Sequence, residues 1–169
     1  MQIRLATCDD LAALMDLMRR IVPLMRAEGN LQWDDTYPND AVFQRDIDLK
    51  QLWVAAEDDR IAGVAAITMD QESDYLQVGW DIHEPAIVVH RLAVDPASRG
   101  LGVAGALMQK AEEVALDRGI TVLRVDTNTQ NEATQRLFPK LGYLLAGEIG
   151  LEFRPGLRFF CYEKRLLLS

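Results

Sequence analysis

The spacing of apolar residues divides the chain into helices and strands. Alternating apolar and polar residues at 2–6 predict a short strand. In the next stretch, 7–29, apolar residues recur three and four positions apart, which predicts a helix. Helix-starting residues stand at its beginning (Thr7, Asp9 and Asp10), and Pro23 is expected to bend or end it. The chain therefore opens with a strand followed by a helix.

The remaining elements follow from the same patterns. A turn-rich loop precedes a short amphipathic helix at 41–51, and two apolar runs within 52–69, joined by an acidic turn, predict a β-hairpin. The polar stretch 70–86 predicts a loop. Further elements are predicted as a strand at 86–94, a helix at 101–119, a strand at 120–127, a helix at 131–142, and strands at 143–150 and 158–167. The order β-α-α-β-β-β-α-β-α-β-β predicts a mixed α/β fold.

Composition narrows the class of protein. A chain of 169 residues, 49% of them hydrophobic, fits one domain spanning residues 1–169. It has neither a long apolar run nor a secretory N-terminus, so we expect a cytoplasmic protein without a membrane partner. The net charge of −8 disfavours nucleic acid and weakly favours cationic small molecules. Cys8 and Cys161 lack the spacing of a zinc site, so no metal is expected.

A glycine-rich loop carries the clearest chemical signal. Gly100, Gly102 and Gly105 spell G-x-G-x-x-G before a predicted helix, and Arg99 precedes them. Backbone amides at such a loop and the positive end of the helix suit a pyrophosphate. A nicotinamide cofactor is one candidate, since Asp126 ends the next strand where a ribose-binding carboxylate would stand. However, Pro96 separates the loop from its strand, and the chain after Asp126 is too short for a second nucleotide-binding half.

Two motifs resemble the GNAT acetyltransferase superfamily. The stretch VDPASRGLGVAGALM, residues 94–108, is similar to the family's coenzyme A loop, with Arg99, Gly102 and Ala104 filling its pattern. The stretch NEATQRLFPKLGY, residues 131–143, is similar to the family's next helix. The resemblance implies a GNAT-like fold with a mixed, mostly antiparallel central sheet flanked by helices.

The resemblance also implies a set of cofactor-binding residues. In the family, the pantetheine arm of acetyl-CoA pairs with the fourth strand, between the fourth and fifth strands, and its pyrophosphate lies on the loop amides. The implied acetyl-CoA residues here are Leu92, Ala93, Val94, Arg99, Gly100, Leu101, Gly102, Val103, Ala104, Gly105 and Asn131. The acceptor amine then attacks the thioester directly, while a strand amide near Leu92 polarises its carbonyl.

Proton transfer has several candidates. A free alkyl amine has a pKa of about 10.4, so a base must remove its proton before attack. Asp126, aligned with a position where some members carry a catalytic glutamate, and His90, on the cofactor strand, are the candidate bases, and a water chain is the alternative. The family often protonates the leaving thiolate with a tyrosine, but Phe138 stands at that position. Tyr143, another tyrosine, a water or no acid is left for this role.

The acceptor side offers acidic and aromatic residues in two predicted loops. They are Trp33, Asp34 and Tyr37 in the first loop, and Trp80, Asp81 and Glu84 in the second. Such residues bind an ammonium group through cation–π and carboxylate contacts, although for Trp33 packing between the second helix and the sheet is slightly favoured.

The sequence thus predicts an acetyl-CoA-dependent N-acetyltransferase that acts on a primary amine of a small molecule or peptide. A non-catalytic acyl-CoA sensor and a nicotinamide oxidoreductase are the alternatives. The resemblance also allows a homodimer, because many members of the family are dimers.

Overall fold

The computed structural model describes residues 1–167 and contains the predicted elements in the predicted order. The strands are β1 (Gln2–Leu5), β2 (Leu52–Glu57), β3 (Arg60–Thr68), β4 (Ile87–Val94), β5 (Val122–Asn128), β6 (Leu144–Gly150) and β7 (Arg158–Arg165). The helices are α1 (Leu11–Ala27), α2 (Asp40–Asp48), α3 (Val103–Asp117) and α4 (Glu132–Lys140). Among the described residues, no helix is long and apolar enough to cross a bilayer.

One predicted detail needs correction, and a second is narrowed. The prediction that 70–86 is only a loop is wrong in part, because Ser73–Val78 forms a 3₁₀ helix around the fully buried Tyr75. Of the two outcomes expected at Pro23, a bend or an end of the helix, the end does not occur, because α1 continues to Ala27. Tertiary packing explains this continuation, since Ile21 and Val22 are buried just before the proline and offset its missing hydrogen bond.

The chain folds as two compact units, and β4 and α3 each contribute to both. The first unit comprises Met1–Ile67 and His90–Lys110, and the second comprises Thr68–Val89 and the chain from Ala111 onwards. The prediction of one domain over residues 1–169 stays a prediction.

In the first unit the strand order is β1-β2-β3-β4. The β1–β2 and β2–β3 pairs are antiparallel, with Gln2 opposite Ala56 and Leu52 opposite Ala66. The amphipathic helix α1 buries one face, which packs with residues of β2 and β3 in a single apolar cluster. The buried members of α1 are Leu14, Leu17, Met18, Ile21 and Val22.

In the second unit the strand order is β4-β5-β7-β6. The start of β4 pairs in parallel with β5, from Ile87 opposite Leu123 to Val89 opposite Val125, whereas β5–β7 and β6–β7 are antiparallel. The predicted mixed, mostly antiparallel sheet is therefore confirmed.

Candidate active site

The glycine loop, residues 99–105, follows β4 and includes the first three residues of α3, in the first unit. Gly100 and Gly102 have φ of +80° and +77°, a left-handed backbone that glycine adopts without strain. A Cβ built at Gly100, Gly102 or Gly105 would meet no heavy atom within 4 Å, so the space beside the loop is open. Helix α3 begins within this stretch, at Val103, and the leading amides of a helix have no acceptor within the helix. The arrangement suits an anion such as a pyrophosphate.

Asp95 holds the chain that leads into this loop. Its side chain is 1% exposed and accepts hydrogen bonds from the Ala97 amide at 3.0 Å and from Arg20 Nη1 at 2.7 Å. Its own amide donates to the carbonyl of Ala62 on β3 at 2.7 Å. Burial raises the pKa of Asp95, but the Ala97 amide and Arg20 outweigh it, and the net pKa is lowered. The ionised carboxylate thus fixes the entry to the loop.

The implied cofactor residues of the first unit lie on β4 and this loop. Leu92 and Val94 are half-buried and Ala93 is buried on β4, while Leu101 is exposed at the tip of the loop. Arg99 is exposed, and its Nη1 lies 3.7 Å from a carboxylate oxygen of the equally exposed Glu28. An exposed pair of this kind is weak, so the guanidinium can exchange Glu28 for another anion.

The backbone of β4 turns left-handed at Arg91, a residue that the sequence analysis did not single out. Its φ is +54°, and the half-buried His90 directly precedes it. Arg91 Nε and Nη2 donate to both carboxylate oxygens of Asp46 at 2.7 and 2.8 Å, and Nη1 donates to the Tyr37 hydroxyl at 3.2 Å. The sequence signal that could have indicated Arg91 was a charged residue inside a strand that is apolar apart from His90.

In the second unit, the half-buried Asp126 on β5 accepts a hydrogen bond from the Tyr75 hydroxyl at 2.6 Å. Tyr75 is fully buried, and burial together with the Asp126 carboxylate raises its pKa well above the ordinary value. Tyr75 therefore stays protonated and holds the carboxylate. Cys161 lies opposite Asp126 on β7, and burial and that carboxylate raise the pKa of its thiol.

The structure brings the second predicted acceptor group together around one buried side chain, Arg124. Arg124 is 1% exposed, and its guanidinium carbon lies 4.9 Å from the centre of the Trp80 ring. Its Nη1 donates to the carbonyl of Asp81 at 2.9 Å, and its Nη2 donates to Glu84 at 3.0 Å. Arg124 also donates to Gln71 at 2.5 Å and to Glu163 at 2.9 Å. Sequence reasoning missed Arg124 because its partners are distant in the chain.

The first predicted acceptor group is also held by neighbours. Trp33 is 4% exposed and packs in the core of the first unit, which supports its packing role. Asp34 accepts from the amide and hydroxyl of Thr36 at 2.8 and 2.6 Å, and its amide donates to the Tyr37 carbonyl at 3.0 Å. Asp34 and Tyr37 are therefore close together, while the Trp33 ring presents little surface to an acceptor.

The second motif supplies a cap and an aromatic cluster. Asn131 is the N-cap of α4, and its side chain accepts from the Thr134 amide at 3.2 Å. Phe138 and Tyr143 are buried with ring centres 5.9 Å apart. Burial and the nearby Glu112 raise the pKa of Tyr143, and its buried hydroxyl lacks a hydrogen-bond partner among the described residues. A general acid must reach the reacting atoms, so this geometry does not favour Tyr143 as the acid.

The part of the chain that the structure describes contains no cluster of three or more His, Cys, Asp or Glu side chains able to hold a metal ion.

Comparisons with known proteins agree with this architecture. The model of the acetyltransferase (GNAT) family matches residues 14–143. The uncharacterized N-acetyltransferase YesJ of Bacillus subtilis is 26% identical over 145 residues, which cover 84% of this chain and 81% of YesJ. A GNAT-family acetyltransferase from Streptococcus agalactiae is 28% identical with a TM-score of 0.82, over 99% of this chain and 96% of that one.

A third relative has been solved with a ligand. The Salmonella typhimurium protein yncA, with its cofactor acetyl-CoA, has the same fold at 20% identity and a TM-score of 0.72, over 100% of this chain and 95% of that one. The family model covers well over half of the chain and is specific for acetyltransferases. The chain therefore belongs to the GNAT family and is an N-acetyltransferase.

Proposed function

We propose that this enzyme transfers the acetyl group of acetyl-CoA directly to a primary amine of a small molecule or peptide. The observation that carries the proposal is the glycine loop at the start of α3. Its two left-handed glycines and the open space beside them fit a pyrophosphate, which is the charged centre of coenzyme A. The acetyl-CoA complex of the yncA relative supports the same cofactor.

In this proposal β4 and the glycine loop bind and activate the donor. The amides of Gly100 and of residues 102–105 hold the pyrophosphate together with the Arg99 guanidinium, while the Leu101 amide donates to the Ser98 carbonyl at 3.3 Å. Leu92, Ala93 and Val94 offer backbone groups to the pantetheine arm. When bound, acetyl-CoA supplies a thioester carbonyl that an amine nitrogen attacks, so that a C–N bond forms as the C–S bond breaks. The Leu92 amide donates a hydrogen bond to the carbonyl oxygen as negative charge develops there.

The proposed proton acceptor is Asp126 on β5. Asp126 receives the proton of the ammonium group before attack, and Tyr75 keeps the carboxylate in place through its 2.6 Å hydrogen bond. The thiolate leaves without a tyrosine donor, since Phe138 and Tyr143 are both buried in the aromatic cluster. Water then carries the second proton of the attacking nitrogen to the thiolate. The net charge of −8 favours a cationic acceptor, such as a polyamine or an amino sugar.

Calorimetric titration with acetyl-CoA, CoA and NADH in parallel tests the donor site. We expect binding of both CoA species at micromolar dissociation constants and none of NADH. A panel of primary amines, with release of free CoA thiol as the readout, then tests transfer. Binding of NADH alone would refute the donor assignment. CoA binding without turnover of any amine would instead favour a sensor.

A further inference from the structure

Arg91 has a left-handed backbone although it lies inside a strand, where an extended backbone is the rule. Among the described non-glycine residues, Lys50, Asp58 and Arg91 have positive φ, and only Arg91 lies within a strand. The left-handed region costs an L-residue about 1–2 kcal/mol, so surrounding contacts must hold it. The parallel pairing of β4 with β5 runs from Ile87 to Val89. The left-handed backbone at Arg91, which we call the kink, follows two residues later.

Three side chains hold this kink, and we name them the Asp46 clamp: Asp46, Arg91 and Tyr37. The Asp46 carboxylate lies in the last turn of α2, is 3% exposed, and accepts both bonds of a bidentate pair from Arg91. Gln51 Nε2 donates a third hydrogen bond to it at 2.9 Å. Burial lowers the pKa of Arg91, but the hydrogen bonds to Asp46 and the nearby Tyr37 outweigh it, and the net pKa is raised. The clamp is thus a buried, charge-assisted contact of fixed geometry.

The guanidinium of Arg91 is not placed as an anion ligand. Its Nε and Nη2 bind Asp46, its Nη1 binds Tyr37, and the side chain is 15% exposed. A phosphate ligand would need donors directed to solvent, as at Arg99. The side chain therefore acts on the backbone that carries it.

That backbone leads directly to the Leu92 amide. The peptide plane that carries the Leu92 N–H is oriented by the dihedral angles of Arg91. We propose that the Asp46 clamp fixes the kink at Arg91 and so aims the Leu92 amide at the thioester carbonyl. Arg91 is then a positioning residue for acetyl transfer. This inference rests on the proposed function, in which that amide stabilises the developing oxyanion.

A matched pair of variants separates the effect of the backbone kink on acetyl transfer from the effect of the Arg91 guanidinium. Arg91→Gly and Arg91→Ala both remove the side chain and leave the same unpaired carboxylate, but only glycine adopts a φ of +54° without strain. We expect kcat of the glycine variant to exceed that of the alanine variant by about fivefold to tenfold, equivalent to about 1.4 kcal/mol at tenfold. The dissociation constant of CoA, which lacks the acetyl carbonyl, should differ less than about twofold between them. Equal kcat values, or a parallel loss of CoA affinity, would overturn the proposal.

A spectroscopic readout tests the kink without activity. In ¹⁵N-labelled protein, the Leu92 amide cross-peak of Arg91→Gly should stay nearer to its wild-type position than that of Arg91→Ala. Should both Arg91 variants fail to fold, Tyr37→Phe keeps the ion pair and removes one hydrogen bond. It should move the same cross-peak and lower kcat about twofold to threefold, and an unmoved cross-peak would refute the clamp. Absence of turnover in the wild type would refute the proposed function, whereas the cross-peak order would still decide on the clamp.

Discussion

The glycine loop of the first unit and the Arg124 network of the second unit use polar groups in opposite ways. The network consists of Arg124 and the four residues that accept its hydrogen bonds: Gln71, Asp81, Glu84 and Glu163. The space beside the loop is open, because its glycines carry no side chain to fill it. Arg124 is buried, and each of its three guanidinium nitrogens donates to a neighbouring group. Under the proposed function the loop offers its donors to a ligand, whereas the donors of Arg124 are already paired within the protein and hold the residues around them in place. Arg124 therefore stabilises the conformation of the 71–84 segment.

The largest effect is expected from Arg124→Met. The change leaves Glu84 and Glu163 without their buried cation and Gln71 without its donor, so the free energy of unfolding should fall by about 3 kcal/mol. Urea denaturation measures it. Arg165→Met is the matched control, because Arg165 binds the same two carboxylates but is 55% exposed, and its loss should stay below about 1 kcal/mol. Equal losses would show that burial does not distinguish the two arginines.

Asp126→Asn should have the next largest effect, on turnover. Asparagine keeps the shape and still accepts the Tyr75 hydrogen bond, but it cannot take a proton, so kcat should fall about 100-fold. The dissociation constant of acetyl-CoA should stay within about twofold, as calorimetry can show. The matched control is Tyr75→Phe, which removes the donor and keeps the carboxylate, and it should reduce kcat less. Unchanged turnover in Asp126→Asn would exclude the carboxylate as the base.

Gly102→Asp tests the loop itself. It introduces a side chain at a φ of +77° and a negative charge beside the expected pyrophosphate, so the dissociation constant of acetyl-CoA should rise at least about tenfold. Gly102→Asn has the same shape without the charge, and asparagine tolerates this conformation better than most residues. It should therefore weaken binding less. If both variants bind as the wild type does, the loop does not hold the phosphates.

The same contrast explains what the sequence could predict. The glycine loop and the order of elements depend on neighbours in the chain, so periodicity and a short motif predicted them. Arg124 meets Glu84 and Glu163 across 40 and 39 positions, and Arg91 meets Asp46 across 45. No local pattern encodes such pairs. The 3₁₀ helix around Tyr75 was missed for a related reason, since its burial depends on residues of β5 and β7 rather than on its own polar stretch.

The smallest effect is expected from Glu84→Gln, because the Glu84 side chain is 34% exposed and lies where the Arg124 network meets solvent. The hydrogen bond from Arg165 lowers the pKa of Glu84, with Arg124 contributing, so the folded state binds its proton less tightly than the unfolded state. This carboxylate therefore stabilises the fold above its unfolded pKa of about 4.3, and the contribution is lost as pH falls through the lower folded value. The unfolding free energies of wild type and Glu84→Gln should differ by at most about 1 kcal/mol at pH 7, and the difference should shrink below about pH 4. Glu132→Gln is the control, because this 84% exposed side chain makes a weak i,i+4 pair with Arg136 and a favourable contact with the start of α4, and its loss should stay below about 0.5 kcal/mol. A difference that stays constant down to pH 3 would mean that the carboxylate charge does not stabilise this edge of the network.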